Sequence, residues 1–475
     1  MRALRSAPAW AGVSLALTLG VGCAAKGERA LREDLARAGQ TLAELPADFD
    51  DVDGAEEGAL PNFDGTPQSY VDYALVHDHR LRAGWERWRA ATHRIARERR
   101  MPMPMISYGV FVSPVETRVG PQRQRLSLRQ SFPWPGELLA GADAATAVAR
   151  AMQREFEAQA LELRATVLRA YWQLWLIRQT RGVVNEQLEL YAATAELARS
   201  RLSLGQVTLA DVQQIDLGQA RMADQLAGID ELELAAQAEL LAAVAAPPMT
   251  DAPTSAAMPE LLQPEADEDA LRQALVDHPR LEVWTTRAEV GELRAKEARA
   301  ARAPSFSVNV DWIEVGPARM SGVADSGKDA VMIGLGIDVP LWQGNYAHEQ
   351  KAAEADAAAA RSEWAAARDR AGADLAVTLT RLRDSARRVL LHEDTLIPQA
   401  QGALESTLGG YASGNGQLSA ILLAQRELLE LRLETLRLSA AHAVAWAELE
   451  RVVGREVAAV PVRSESKTKE VDHGA

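Results

Sequence analysis

Val331-Met332-Ile333-Gly334-Leu335-Gly336-Ile337-Asp338-Val339 opens the stretch that decides the fold, and the stretch closes at Gly414. Ile333, Leu335, Ile337 and Val339 alternate with Met332, Gly334, Gly336 and Asp338. That is a strand with one greasy face and one small or polar face. Pro340-Leu341-Trp342-Gln343-Gly344 breaks it. Asn345 to Tyr411 follows, rich in Ala, Glu and Arg. It reads as one helical run of about 100 Å at 1.5 Å per residue. Pro398 is its only proline and predicts a kink or short break. A second helix is expected after Ser413-Gly414-Asn415-Gly416.

The stretch has a twin. Arg125 to Phe132 is a strand, with Leu126, Leu128 and Phe132 on one face and Arg125, Ser127, Arg129 and Ser131 on the other. Pro133-Trp134-Pro135-Gly136 breaks it, and a proline-free run reaches Leu204-Gly205. Gly205 lies 69 residues after Gly136, and Gly414 lies 70 after Gly344.

The similarity extends upstream. Gln68 to Arg100 is expected to be helical, ending at Met101-Pro102-Met103-Pro104 before a strand from Ile106 to Val112. Ala74, Leu75 and Val76 match Ala274, Leu275 and Val276; Arg80 and Leu81 match Arg280 and Leu281; Pro104, Ser107 and Val110 match Pro304, Ser307 and Val310. The offset is 200 residues throughout. Two halves with one order of elements indicate an internal duplication. Phe306, Val308, Val310 and Trp312 form the fourth alternating strand. Ser113–Gln122 and Gly316–Ala330 read as loops.

Four such strands cannot close a barrel by themselves. Their greasy faces would lie in water and their edges unpaired. Lipid resolves the first problem, because outer-membrane strands alternate lipid-facing side chains. Further copies of the chain resolve the second. The helices need partners as well. Leu163, Val167, Tyr171, Leu174, Val184, Leu188, Tyr191, Ala195, Ala198 and Leu202 recur mostly at three and four, the spacing of a coiled-coil seam. The second copy is richer in alanine, as at Ala357–Ala360 and Ala365–Ala367.

Composition narrows the class. The chain has 475 residues, 25% charged and 47% hydrophobic but only 5% aromatic, so its apolar content is largely Ala and Leu. This favours close-packed helices. A net charge of −14 argues against nucleic acid as a partner. Residues 1–23 resemble an export signal, with Arg2 and Arg5, an apolar run Ala9–Leu19, and Gly20-Val21-Gly22-Cys23. Cys23 is the only cysteine, which removes a disulfide framework. Its position suggests lipidation of Cys23, although the lipobox leucine stands one place off, at Leu19. Cleavage after Ala25 is the alternative. The division expected is 1–23 signal, 24–67 arm, 68–250 first repeat, 251–267 linker, 268–455 second repeat and 456–475 tail. In the arm, Glu28–Leu45 is a candidate helix, and Asp48 to Glu57 is acidic.

Several features together carry a family resemblance. They are the duplication, Arg169-Ala170-Tyr171-Trp172, Phe132-Pro133-Trp134-Pro135-Gly136, Val339-Pro340-Leu341-Trp342-Gln343-Gly344, and the turns Leu204–Asp211 and Ser413–Ala420. Over Gln68 to Val453 the chain resembles the TolC-type outer membrane efflux proteins, the outer membrane factor family. The resemblance implies a mainly α protein with a small β portion. Its duplicated halves supply long antiparallel coiled-coil helices, forming a periplasmic α-barrel. Its four transmembrane strands contribute to a twelve-stranded barrel in a homotrimer. It implies an acyl-cysteine in part of the family, a periplasmic adaptor protein, an inner-membrane efflux pump and outer-membrane lipid as partners, and no catalytic residues. The adaptor would meet the turns at Gly205, Thr208, Leu209, Gly414, Gln417 and Leu418. Gly205 and Gly414 also read as helix C-caps, and Thr208 as an N-cap. Some members carry carboxylates six and nine residues after the second glycine; here Ala420 and Leu423 stand there, and Asp211 and Gln214 in the first half. Asp211 is either part of a weaker acidic constriction or a first-turn residue favoured by the helix dipole.

Other chemistry is thin. Met101, Met103 and Met105 are candidate soft ligands or filler at a turn. His77 and His79 do not share a helix face. No phosphate loop, metalloprotease or nucleophile-elbow motif is present, and neither a cofactor nor a resident metal is expected. Arg125, Arg129 and Asp338 fall on the presumed lumen face, where the arginines either favour anions or pair with neighbouring carboxylates such as Asp338. The function expected is passive export of small molecules or metal ions. The alternatives are a type I protein secretion duct and a periplasmic coiled-coil lipoprotein scaffold without a pore.

Overall fold

The computed structural model describes residues 27–41, 60–413 and 416–462, so Cys23 and Gly414 lie outside the described residues, as does the acidic part of the arm. Helix α1 spans Glu28–Thr41. In the first half, α2 (Pro67–His77) and α3 (His79–Glu98) lead to β1 (Met105–Val110), β2 (Glu116–Thr117) and β3 (Gly120–Phe132), then α4 (Pro135–Ser203) and α5 (Leu209–Ala243). A short strand β4 (Leu262–Pro264) follows, then α6 (Glu268–Ala274) and α7 (Pro279–Ala300). Next come β5 (Ser305–Val315) and β6 (Ala330–Asp338), and then α8 (Gln343–Leu391), α9 (Ile397–Ala412), α10 (Leu418–Val453) and β7 (Ala459–Pro461). Among the described residues no helix is long and apolar enough to cross a membrane.

Two expectations need correcting, and one pairing was not foreseen. Gln68–Arg100 is two helices, because Asp78 adopts an extended conformation, and its Oδ1 accepts from the Leu81 N–H at 2.7 Å. A carboxylate that satisfies an orphan first-turn donor starts a new helix. His278 does the same two hundred residues on: its Nδ1 accepts from Arg280 N–H at 2.9 Å, and its Nε2–H reaches the Arg451 carbonyl at 2.9 Å. The loop 113–122 contains β2, which pairs with the start of β3. Finally, β4 in the expected linker pairs antiparallel with β7 in the expected tail, Leu262 opposite Pro461.

The break expected at Pro398 is a π-helical turn, His392–Leu396, between α8 and α9. Proline lacks an N–H and crowds the carbonyl four residues before it, here that of Asp394. The helix widens instead, and the Ile397 N–H bonds to the His392 carbonyl five residues back. His392 is buried, with its Nδ1 at 3.0 Å from Thr435 Oγ1 on α10. The hydroxyl donates to the Leu431 carbonyl, so the ring nitrogen is the donor.

The chain divides into two compact units. One comprises residues 1–37, 87–153 and 284–362 and contains the β1-β3-β5-β6 sheet. The other comprises 38–86, 154–283 and 363–475 and holds the largest apolar core. There Tyr171 is fully buried. Its hydroxyl donates to the Gly65 carbonyl at 2.7 Å and accepts from Ser255 N–H at 3.1 Å. Tyr70 donates to the Pro253 carbonyl at 2.8 Å, and Trp175 Nε1 to that of Ala257 at 3.2 Å. Tyr70 on α2 and Tyr171 and Trp175 on α4 therefore tie down the irregular segment between α5 and β4.

A buried histidine fixes that segment's far end. His442 Nε2 accepts from the Leu262 N–H at 2.9 Å, while Nδ1 faces Ser385 Oγ at 3.0 Å. Burial holds this ring below the ordinary histidine range, 6.5. A lowered native pKa means the unfolded chain binds the extra proton first. The stability it supports is therefore complete above pH 6.5 and falls as pH drops below that value. Thermal unfolding of His442→Ala should show a loss of about 1–3 kcal/mol at pH 7.5, the cost of stranding a buried amide. It should also show a shallower decline between pH 7 and pH 5 than the parent. An unchanged slope would remove the titration assigned to His442.

Candidate functional site

The sheet is antiparallel throughout, and its register places like with like. Ile106 lies opposite Leu128, Leu128 opposite Val310, and Val310 opposite Ile333. The next row is Tyr108, Leu126, Trp312 and Val331. Phe132, Phe306 and Ile337 form a third. These rows share one face because alternate residues of a strand point the same way. The face is uncovered: Ile333 is 73% exposed and Leu335 85%. Among the described residues nothing pairs with the outer edge of β1 or of β6. Trp134, Leu341 and Trp342, just beyond the ends of β3 and β6, are also exposed.

The opposite face is polar and internally paired. Arg125 reaches Asp311 Oδ1 through Nη2 at 2.8 Å and Nε at 3.0 Å. Ser127 donates to the same oxygen, and Asn309 Nδ2 donates to Oδ2 at 2.7 Å. Asp311 is 1% exposed, so these bonds replace the water it has lost. Arg129 donates to Ser307 Oγ at 3.1 Å and stands 3.8 Å from Asp338. The sequence reading named Asp338 as an example of a carboxylate for the arginines; the register gives Arg125 to Asp311 instead. The glycines of β6 make this network possible. A Cβ at Gly334 would come 2.5 Å from Asn309 Oδ1, and one at Gly336 2.5 Å from Ser307 Oγ.

The two helical turns form a second candidate. Gly205 has φ +70°, with open space where a Cβ would be. Its N–H bonds to the Leu202 carbonyl, and that of Gln206 to Arg201, the paired bonds of a Schellman cap. Thr208 then caps α5. Its Oγ1 accepts from Asp211 N–H at 3.2 Å, while the Asp211 carboxylate accepts from Thr208 N–H at 2.9 Å and hydroxyl at 2.7 Å. That capping box holds the Asp211 carboxyl below the usual carboxylate range, the Thr208 hydroxyl contributing most. Leu209 is 60% exposed, and Gln214 is also exposed.

The second turn is built differently. Gln417 precedes α10 but makes no side-chain cap bond. Order comes from packing. Leu418, 4% exposed, joins Tyr411, Ile421, Val212 and Ile215 in a core shared by α4, α5, α9 and α10. Leu418 is thus an inward residue rather than part of the outer surface, whereas Gln417, Ala420 and Leu423 are exposed. The Arg201 guanidinium lies 4.3 Å over the Tyr411 ring, and its Nη2 donates to the Ala412 carbonyl at 2.9 Å. Gly416 is the tight point, because a Cβ would meet Tyr411 N at 2.6 Å. Sequence reading gave Arg201 no role, Tyr411 only the end of the helical run and Gly416 only a place in the helix stop; the ends of helices meeting in space reveal what they do.

Comparison with known proteins adds the following. The family described as outer membrane efflux protein matches residues 270–455. Protein CyaE of Bordetella pertussis is 27% identical over 287 residues, 58% of this chain and 60% of that protein. The chain thus spans about three fifths of CyaE. The cobalt-zinc-cadmium resistance protein CzcC of Cupriavidus metallidurans is 24% identical over 302 residues, 62% of this chain and 68% of that one. The outer membrane protein VceC of Vibrio cholerae is similar in fold, with TM-score 0.66 and 20% identity over 82% of this chain and 96% of that chain.

Hydrogen exchange should separate the two turns. Gly416→Ala forces backbone apart and should speed amide exchange across 404–421. Gly205→Ala, strained only by its left-handed backbone at about 1–2 kcal/mol, should affect only the start of α5. Thr208→Ala should cost about 1 kcal/mol locally. Equal protection in Gly416→Ala and the parent would contradict the steric assignment.

Proposed function

We propose that this chain, whose residues 270–455 match the outer membrane efflux protein family, is the outer-membrane channel of a tripartite export system. One observation carries this: a β1-β3-β5-β6 sheet that, among the described residues, has an uncovered apolar face and two unpaired edges. In water that face would drive aggregation. In lipid it is the expected outer wall of a barrel. Two more copies join edge to edge, β6 of one to β1 of the next, giving a trimeric pore of twelve strands. The recurrence of element order between 67–243 and 268–453 supports an origin by duplication.

Arg125, Arg129 and Asp338 line the lumen. The long helices continue as a periplasmic tunnel, and the turns around Gly205, Thr208, Leu209, Gly414 and Gln417 meet a periplasmic adaptor. Asp211 and Gln214, with Ala420 and Leu423, border the constriction. Energy and selection lie with an inner-membrane pump, so the channel needs no catalytic group. The likeness to CzcC favours metal ions or other small solutes as cargo. A pore-free scaffold has no use for an exposed greasy sheet, which sets that reading aside.

Extraction from outer-membrane fractions should yield a heat-modifiable trimer that conducts in planar bilayers. Leu335→Arg should prevent insertion, at a cost of about 2–4 kcal/mol if the residue lies near the bilayer midplane. A soluble monomer without conductance would end the proposal. Separately, Gly205→Arg and Gly414→Arg should abolish export while trimers still assemble; normal export from both would remove the docking role of the turns.

A further inference from the structure

Three methionines stand where the fold asks for none. Met101, Met103 and Met105 alternate with Pro102 and Pro104 between α3 and β1, and they are 43%, 73% and 56% exposed. Methionine in a folded protein is commonly a gap-filler, its flexible thioether adapting to an irregular core. None of these three is in a core. Two hundred residues on, the same connection between α7 and β5 carries Ala301, Ala303 and Ser305. Joining this kind of helix to this kind of strand therefore requires no sulfur.

The backbone is set by its neighbours. Met101 and Met103 each precede a proline, which disfavours the helical region and holds both extended. Met105 opens β1 directly opposite Arg129, on the sheet's polar face. Along such an extended segment alternate residues follow one another about 6–7 Å apart. Each side chain has three rotatable bonds. Three thioethers so placed can converge on one ion between them. Thioethers are soft and neutral, and they select monovalent copper or silver over hard cations. Arg129 does not oppose this, because its guanidinium is turned to Ser307 and Asp338. Among the described residues no group of three or more His, Cys, Asp or Glu is arranged to hold a metal.

We propose that Met101, Met103 and Met105 form a binding site for a soft monovalent metal ion at the α3 end of the polar face. Its use as a station for metal in transit rests on the reading of that face as the lumen; the binding does not. Three neutral ligands without a carboxylate give an exchangeable site, and conduction requires ions to leave as well as to enter.

Silver(I) is the probe, since it needs no reductant. The full chain, purified in detergent and chloride-free nitrate buffer, is titrated calorimetrically, and bound silver is counted by mass spectrometry. One silver per chain is expected. Met101→Leu/Met103→Leu/Met105→Leu keeps the apolar bulk and removes the sulfur, so binding should weaken about tenfold or more. Met249→Leu/Met320→Leu, altering two exposed methionines elsewhere, should bind as the parent does. Parent-like binding by the triple variant, no binding by the parent, or equal loss in the control would overturn the site. Bilayer conductance of the same samples tests the channel independently: a conducting parent that binds no silver refutes only the site, and a silver-binding parent that does not conduct refutes only the pore.

Discussion

A sheet with one greasy face and two bare edges is the constraint on which the rest depends. The rows Ile106–Leu128–Val310–Ile333 and Tyr108–Leu126–Trp312–Val331 run across all four strands. No described residue of its own unit covers Leu335 or Ile333. Burial of such a face normally comes from a second layer of the same domain. The described residues supply no such layer, and on the proposed reading lipid covers the apolar surface and sister strands the edges. The polar face obeys the opposite requirement. Asp311 is withdrawn from water and is held by Arg125, Ser127 and Asn309 together. The β6 glycines exist to leave those side chains room.

The helices satisfy a different demand. A helix as long as α4 gains little from propensity alone and is stabilised by what packs along its seam. Tyr171 and Trp175 are buried on one such seam and also bind the backbone of irregular segments. A single pair of side chains thus links coiled-coil packing to chain connection. Along the second copy, Pro398 would break a regular helix, and the π-helical turn absorbs it with His392 bonded to Thr435. The tips show the same economy in two forms. One turn is fixed by local hydrogen bonds, the Schellman cap and the Thr208–Asp211 box. The other relies on Tyr411, Leu418 and the closeness that Gly416 permits.

Much of this was legible in the chain. Strand alternation at 331–339, breaks at Pro133 and Pro340, and glycines at equal spacing placed the strands and long helices within a few residues. Those signals are local, because side-chain periodicity and proline stereochemistry act over a handful of residues. The helix break at Asp78 was missed because a capping aspartate looks like any surface aspartate until its neighbour's N–H is located. The β4–β7 pair was missed because three-residue strands carry no periodicity, and their partners lie nearly two hundred residues apart.

By itself, then, the sequence determined the kinds of element, their order, and which face of each strand is apolar, since these follow from residue type and period. Only the tertiary structure decided who meets whom. Arg125 takes Asp311 rather than Asp338 because strand register, not composition, sets cross-strand neighbours. Leu418 turns inward, and Gly416 rather than Gly205 is the sterically tight glycine, because four helix ends converge there. Pairings between distant segments depend on how whole elements pack, and no short stretch of chain encodes that.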